Sequence, residues 1–182
     1  MFRNLFLVQV PDAAPSDQVE HVDALSSTTI VPVPSVAAAV SVTASFGEAD
    51  LIELYGGLGV EAAAAVLKAA PGVPVGFPGP SWQPVPSAVL FEDPSEARWT
   101  FGRTTVATVP SAASVVEVAV ALVTAGAERV ELCGGMGPIP AAELAMAVDV
   151  PVTTVLFGFE SLPPAAAYRT RFEKAQSQNP NG

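Results

Sequence analysis

Short apolar runs alternate along the chain with longer segments in which apolar residues recur every three to four positions, a spacing typical of helices. The short runs are typical of buried strands. Together they predict strands over residues 5–10, 28–33, 51–55, 73–77, 88–91, 104–109, 129–133 and 150–157, and helices over 35–46, 60–70, 111–125, 140–148 and 164–176. Because strands and helices alternate, the pattern predicts a parallel sheet with helical crossovers.

The two halves of this pattern resemble each other. Residues 28–35 and residues 104–111 share an opening Thr-Thr and a closing Val-Pro-Ser. Further along, Glu-Leu-Tyr-Gly-Gly at 53–57 recurs as Glu-Leu-Cys-Gly-Gly at 131–135. Matches in the same order indicate an internal duplication. We therefore expect a first repeat over 1–80, a second over 87–175, and a polar, disordered tail over 176–182.

Four predicted strands in each repeat make eight, the number in a (β/α)8 barrel assembled from two half-barrels. We therefore expect a small barrel-like α/β fold forming one compact domain. Two features favour the alternative of two packed four-stranded α/β layers. Residues 78–86 contain too many prolines to form a crossover helix. Pro32 lies within a predicted strand, where a missing N–H is tolerated mainly at an edge or a bulge.

Composition limits the classes of function. The chain has 182 residues, of which half are hydrophobic and 14% are charged, so it can bury a core of domain size. Its net charge of −10 disfavours binding to nucleic acid and to anionic lipid. Neither a membrane span nor a signal peptide is evident, so we expect a cytoplasmic protein that acts on a small molecule.

The chain has one cysteine, Cys133, and one histidine, His21. These counts exclude a disulfide framework and a zinc site built mainly from cysteine and histidine. His21 lies in an acidic, helix-like segment over residues 16–25, and this context predicts a surface position.

In two of the predicted strands, the alternation of side chains between the two faces places a glutamate on the face opposite the apolar residues. Glu53 and Tyr55 share one face of their strand, as do Glu131 and Cys133, and in a barrel this face points to the axis. The duplication would then bring Glu53 and Glu131 opposite each other near the carboxyl ends of the strands, where such barrels hold their active sites. At matching positions of the two repeats, the side chains of Gln9 and Glu92 would line the same pocket.

Carboxylates crowded in a partly dry pocket cannot all ionise, so at least one pKa rises and a protonated acid stands beside an ionised base. This arrangement suits general acid/base catalysis near neutral pH. We expect Glu131 to be the base, with Cys133, Tyr55 or a protonated Glu53 as the proton donor. In the structural alternative, Cys133 is a small core residue, and the two glutamates are exposed or paired with an arginine such as Arg98, Arg103 or Arg129.

A glycine turn follows each of these strands. Backbone N–H groups in such a turn can bind a phosphate or a carboxylate at the start of the next helix, or the glycines serve only a tight connection. Aliphatic and aromatic residues near the strand ends suggest a largely apolar substrate. The candidate substrate-binding residues are Gln9, Glu92, Gly56, Gly57, Gly134, Gly135, Met136, Phe77 and Phe157.

The Glu-Leu-Cys-Gly-Gly segment at 131–135 resembles a strand-end motif in a family of small, uncharacterised bacterial proteins about one repeat long. The resemblance covers mainly residues 87–160, and the first half matches less closely, with Tyr55 at the position of the cysteine. It implies that the chain is a fusion of two units that would otherwise pair as a homodimer. It supports the site residues without naming a reaction, and homodimerisation of this chain is left open.

These observations predict a cofactor-independent isomerase, cyclase or lyase acting on a small, largely apolar, carbonyl-containing metabolite. Two alternatives stay open. Gln9, Glu53, Glu92 and Glu131 offer oxygen ligands suited to Mg²⁺ or Mn²⁺, which would make the protein a metal-assisted lyase or hydrolase. Alternatively, the duplicated pocket holds a small molecule without catalysis.

Overall fold

The computed structural model describes residues 1–178, which form two separate sheets with helices between their strands. The first half contains β1 (Phe2–Gln9), β2 (Val19–Val22), β3 (Ser26–Val33), α1 (Val36–Phe46), β4 (Leu51–Tyr55), α2 (Val60–Ala69) and β5 (Val75–Phe77). The second half contains β6 (Ser87–Glu92), β7 (Arg98–Phe101), β8 (Thr104–Val109), α3 (Val115–Thr124), β9 (Arg129–Leu132), α4 (Pro138–Ala147), β10 (Val152–Thr154), β11 (Leu156–Phe157) and α5 (Leu162–Gln178).

The two sheets have the same strand order. The first runs β11-β5-β4-β1-β3-β2 and the second β10-β9-β6-β8-β7, so the two differ only by the added β11. Strands β1, β3, β4 and β5 are parallel, whereas the edge strand β2 is antiparallel to β3. The second sheet repeats this arrangement, with β7 antiparallel to β8.

Helices cover only one face of each sheet, because the connections from β1 to β3 and from β6 to β8 contain a strand instead of a helix. On one face of the first sheet, Leu5, Leu7 and Ile52 pack with residues of α1 and α2. On the other face, Phe6 packs against Phe91 of the second sheet, with ring centroids 5.5 Å apart. The two sheets therefore meet face to face, with their helices outside.

This architecture fits the predicted alternative of two packed α/β layers, and a closed eight-stranded barrel is not what the chain forms. Each sheet is open and ends in the antiparallel strand β2 or β7, so the strands cannot continue into one ring. Both strands lie in segments for which the sequence predicted none, and the helix-like interpretation of residues 16–25 was wrong at β2. The predicted strand over 150–157 is divided into β10 and β11.

The C-terminal segment of the second half completes the first sheet. β11 pairs antiparallel with β5, and α5 packs Tyr168 and Phe172 against Phe2. The Tyr168 hydroxyl donates a hydrogen bond of 3.1 Å to Asn4 Oδ1. The predicted tail is helical as far as Gln178, and residues 179–182 lie outside the described part of the chain. Among the described helices, none combines the length and the apolar character needed to cross a membrane.

Candidate functional site

The strand order places β1 and β4 side by side at the centre of the first sheet, and β6 and β9 in the same way in the second. The chain leaves β1 towards β3 on one side, whereas β4 lies on the other, so the sheet order reverses between β1 and β4. Ligands of open α/β sheets commonly bind at the carboxyl ends of the strands at such a point. Glu53 and Tyr55 lie at this end of β4, and Glu131 lies near the matching end of β9.

The Glu53 carboxylate is buried between the two halves, with 2% of the residue exposed. The Tyr55 hydroxyl, on the same strand, donates a hydrogen bond to Glu53 Oε2. The backbone N–H of Gly134, from the other half, donates to Glu53 Oε1 at 3.1 Å. Each oxygen of the Glu53 carboxylate thus accepts a hydrogen bond from a different half of the molecule.

Glu131 makes the reciprocal contact. Its Oε2 accepts a 2.8 Å hydrogen bond from the N–H of Gly56, which follows β4. Its Oε1 lies 2.6 Å from Nε of Arg129, an arginine that is itself buried and donates to Ser87 Oγ at 3.2 Å. The glycine turns therefore do bind carboxylates, and in the described structure these carboxylates belong to the chain itself.

The two glutamates differ in charge environment. Burial raises the pKa of Glu53 to about 7, although hydrogen bonds from Tyr55 and the Gly134 N–H act in the opposite direction. Burial also raises the pKa of Glu131, and there the charge of Arg129 opposes the effect. Leu51 occupies the position in β4 that matches Arg129 in β9. Within residues 1–178, no ion pair includes Glu53.

The Tyr55 hydroxyl and the Cys133 thiol both stay protonated at neutral pH. Burial and the nearby Glu53 raise the pKa of Tyr55 well above its ordinary value. The same two causes raise the pKa of Cys133, which is buried, to about 12. The Cys133 side chain is therefore a neutral thiol at physiological pH, whereas a nucleophilic cysteine acts as the thiolate.

Glycine allows the backbone to approach closely at both turns. A Cβ on Gly134 would lie 2.9 Å from Glu53 Oε1 and 2.9 Å from a ring carbon of Phe157. A Cβ on Gly56 would lie 2.6 Å from the carbonyl oxygen of Gln9, and one on Gly57 would lie 2.6 Å from that of Trp82. These turns need glycine because other parts of the chain occupy the space of a side chain.

Of the other candidate residues, Phe157 and Met136 lie beside the glycine turn that holds Glu53. Phe157 is half-buried and contacts Gly134, and the backbone of Met136 donates to the carbonyl oxygen of Cys133 at 3.2 Å. Gly135 is exposed. Phe77 does not join the site, because it packs with Leu5 and Leu7 on the helix-covered face of the first sheet. Gln9 is half-buried with its side-chain oxygen beside Gly57, but it pairs with Val33 and so lies on the helix-covered face of the first sheet, away from the face that carries Glu53.

Glu92 does not join the site, which corrects the expectation of a four-residue pocket. Val89 pairs with Glu131, so Val89 and Phe91 share the inner face of β6 and Glu92 points to the other face, where it is exposed. The expected set of oxygen ligands is therefore not assembled. No group of three or more histidine, cysteine, aspartate or glutamate side chains in residues 1–178 is arranged to hold a metal ion.

The site is enclosed in this structure. Tyr55 has no exposed surface, and two clefts of about 270 and 290 Å³ lie elsewhere, around residues such as Leu122 and Val118 of the second half. Gly134, whose N–H contacts Glu53, and the neighbouring Phe157 are both partly exposed.

A second contact between the halves was not predicted from the sequence. His21 Nε2 lies 3.2 Å from Asp93 Oδ2, and the His21 ring packs against Phe91 and Trp99 with centroids 5.7 and 5.4 Å away. His21 is therefore largely buried on β2, and the predicted surface position was wrong. The pairing depends on how the two halves dock, and no local pattern indicates it.

Comparison with known proteins gives one match. A family of unknown function, DUF6506, matches residues 85–170, from just before β6 into α5. The matched segment contains Glu131, Cys133 and Gly134, and the match agrees with a resemblance to an uncharacterised family over the second half. Comparisons with curated proteins and with solved structures give no match.

Proposed function

We propose that the protein is a cofactor-independent acid/base enzyme in which Glu53 carries the proton and Tyr55 assists it. The observation that supports this proposal is a buried carboxyl group with a pKa of about 7 and no paired cation. At neutral pH such a group is present in both protonation states, as general acid/base catalysis requires. Glu131 is the weaker candidate for the proton carrier, because its carboxylate is paired with the positive charge of Arg129.

The proposed reaction is proton transfer next to a carbonyl group. The Glu53 carboxylate removes a proton from the carbon beside the carbonyl, and the electron pair of the broken C–H bond moves towards the carbonyl oxygen. The Tyr55 O–H, which stays protonated, then donates a hydrogen bond to this oxygen. In a β,γ-unsaturated carbonyl compound, return of the proton from Glu53 to the γ-carbon re-forms the C=O bond and moves the C=C bond next to it, which completes an isomerisation.

The proposed substrate is small, carbonyl-containing and largely apolar. Phe157 and Gly134 form the cover through which it would reach Glu53, so binding requires Phe157 to move aside. Met136 adds apolar surface to this region. The Gly134 N–H continues to donate its hydrogen bond to Glu53 Oε1. The other oxygen, Oε2, and the Tyr55 hydroxyl then act on the substrate.

Solvent deuterium exchange tests the proposal without a named substrate. A panel of small ketones and aldehydes is incubated in D2O with the protein, and loss of the C–H signals next to the carbonyl is followed by NMR. We expect the wild type to accelerate exchange in at least one compound. Glu53→Gln should catalyse this exchange at least about a hundredfold more slowly, because a general base typically contributes a factor of this size.

Glu92→Gln is the matched control, since it neutralises an exposed glutamate of the same protein. It should exchange at the wild-type rate. Exchange that is no faster than without protein across the panel, or that survives Glu53→Gln, would contradict the proposal and favour a non-catalytic role for the buried carboxylates.

We also propose that the two halves arose by duplication of one unit. The common strand order and the reciprocal contacts of Glu53 with Gly134 and of Glu131 with Gly56 support it. On this view the site formed between two equal units, and Arg129 later distinguished one glutamate from the other.

A further inference from the structure

The two sheets end differently on the side where β10 leads into β11. In the first sheet, the outward backbone groups of β5 are occupied: the Val75 N–H donates to Ser161 Oγ at 3.2 Å, and Phe77 pairs with Leu156. The equivalent strand of the second sheet is β10, the last strand of its sheet. Nothing in residues 1–178 pairs with its outer edge.

The outward groups of β10 can be identified from its bonds to β9. Pro151 O accepts from Val130 N, and Val155 N donates to Leu132 O, both at 2.9 Å. Alternate residues of a strand direct their backbone groups to the same side. The N–H and C=O groups of Val152 and Thr154 therefore point away from the sheet, at the positions that match Val75 and Phe77.

This edge is complementary to itself. When two β10 strands run antiparallel about a two-fold axis through Thr153, Val152 of one copy lies opposite Thr154 of the other. Residues with outward N–H and C=O groups then face each other as hydrogen-bonded pairs, and the symmetry repeats the pair. The pairing of β11 with β5 shows that the matching edge of the first sheet accepts an antiparallel strand.

The chemistry of the surface fits a second copy of this acidic chain. Residues 151–159 contain no charged side chain, although the chain carries a net charge of −10. Native sheets commonly protect an open edge with charged residues, and β10 has none. α4 packs beside β10, and its Met146 and Ile139 side chains are 83% and 74% exposed. β10 therefore brings no like charges face to face in such a pair, and the nearest charged residues along the chain are Asp149 and Glu160.

We propose that the protein forms a homodimer by antiparallel pairing of β10 with β10 of a second copy, with α4 of each copy alongside. The pairing joins the second sheets of the two copies into one continuous ten-stranded sheet, since each contributes five strands. It occupies the backbone groups of Val152 and Thr154 and covers Met146 and Ile139.

Sedimentation equilibrium of the full chain, over a dilution series, tests the proposal. We expect twice the 18.6 kDa mass of one chain for the wild type, and slow hydrogen exchange of the Val152 and Thr154 amides. Thr154→Pro removes an outward N–H and should give the single-chain mass. Met146→Glu places a negative charge beside the same edge without touching the core, so it should also give the single-chain mass. This second variant tests the proposal even if Thr154→Pro fails to fold.

Val60→Glu is the matched control, because Val60 is exposed on α2, the helix of the first half that matches α4. It should leave the dimer intact. A single-chain mass for the wild type at every concentration would overturn the proposal, as would a dimer that persists in both Thr154→Pro and Met146→Glu. If the edge binds an extended peptide instead of a second copy, the Val152 and Thr154 amides should exchange fast in the protein alone and become protected only when a peptide is added. This result would also overturn the proposal.

Discussion

Gly134 and Gly135 are neighbours with different roles. Neither has a positive φ, so backbone conformation alone does not require glycine at either position. A Cβ on Gly134 would lie 2.9 Å from Glu53 Oε1, whereas a Cβ on the exposed Gly135 would have Cys133 Sγ as its nearest neighbour, at 3.7 Å. The glycine at 134 therefore serves the contact between the halves.

Alanine substitution separates the two roles. Gly134→Ala should lower the free energy of unfolding by about 1–3 kcal/mol, because overpacking displaces the Glu53 carboxylate and Phe157. Gly135→Ala should change it by less than about 0.5 kcal/mol, as surface substitutions usually do. Chemical denaturation of both variants measures the difference, and an equal effect at both positions would argue against the close contact.

At the scale of elements, β4 and β9 have the same shape and a different chemistry. β9 carries Arg129, which pairs with Glu131, whereas β4 carries Leu51 and leaves Glu53 without a cation. Removing one partner of a buried ion pair leaves the other charge uncompensated. The ion pair thus makes Glu131 a structural carboxylate.

Arg129→Leu should therefore lower the free energy of unfolding by about 3–5 kcal/mol at neutral pH. The double variant Arg129→Leu/Glu131→Gln should recover most of this loss, because it leaves no charge unpaired. A double-mutant cycle by urea denaturation gives the coupling between the two residues. Additive losses would contradict the pairing.

Much of the element pattern could be predicted from the sequence, because the parallel strands and the helices carry strong apolar periodicity. β2 and β7 were missed: each is a four-residue edge strand that alternates partly buried and exposed positions too briefly to stand out. Glu53 and Glu131 were expected to face each other, and the structure places each against the glycine turn that follows the other's strand. Glu92 was misplaced because the inner face of β6 is set by its register with β9, which local sequence does not specify.

At the scale of the whole molecule, contacts between the halves hold the site closed. Besides the two carboxylate contacts with Gly56 and Gly134, His21 pairs with Asp93. Burial raises the pKa of Asp93, but hydrogen bonds from Ser95 and His21 outweigh it and lower the pKa below its ordinary value of 3.8. The ionised form of Asp93 therefore stabilises the docked halves.

Because the pKa of Asp93 is lower in the folded state, its contribution to stability is present above the ordinary value of 3.8 and is lost as the pH falls through the folded value. Asp93→Asn should thus melt below the wild type at about pH 5, and the gap should shrink towards about pH 3. Asp12→Asn, at an exposed aspartate, is the control and should show no comparable gap. A gap that grows on acidification would refute the role of Asp93.

The proposed acid/base role of the site depends most directly on the ionisation of Glu53. The measurement is a ¹³C NMR titration of protein labelled at glutamate side-chain carboxyls, with the Glu53 signal assigned by its absence in Glu53→Gln. We predict a midpoint near pH 7, set by burial without a paired cation. A midpoint at or below the ordinary value of 4.5 would show that Glu53 is fully ionised at neutral pH and would contradict its role as the proton carrier.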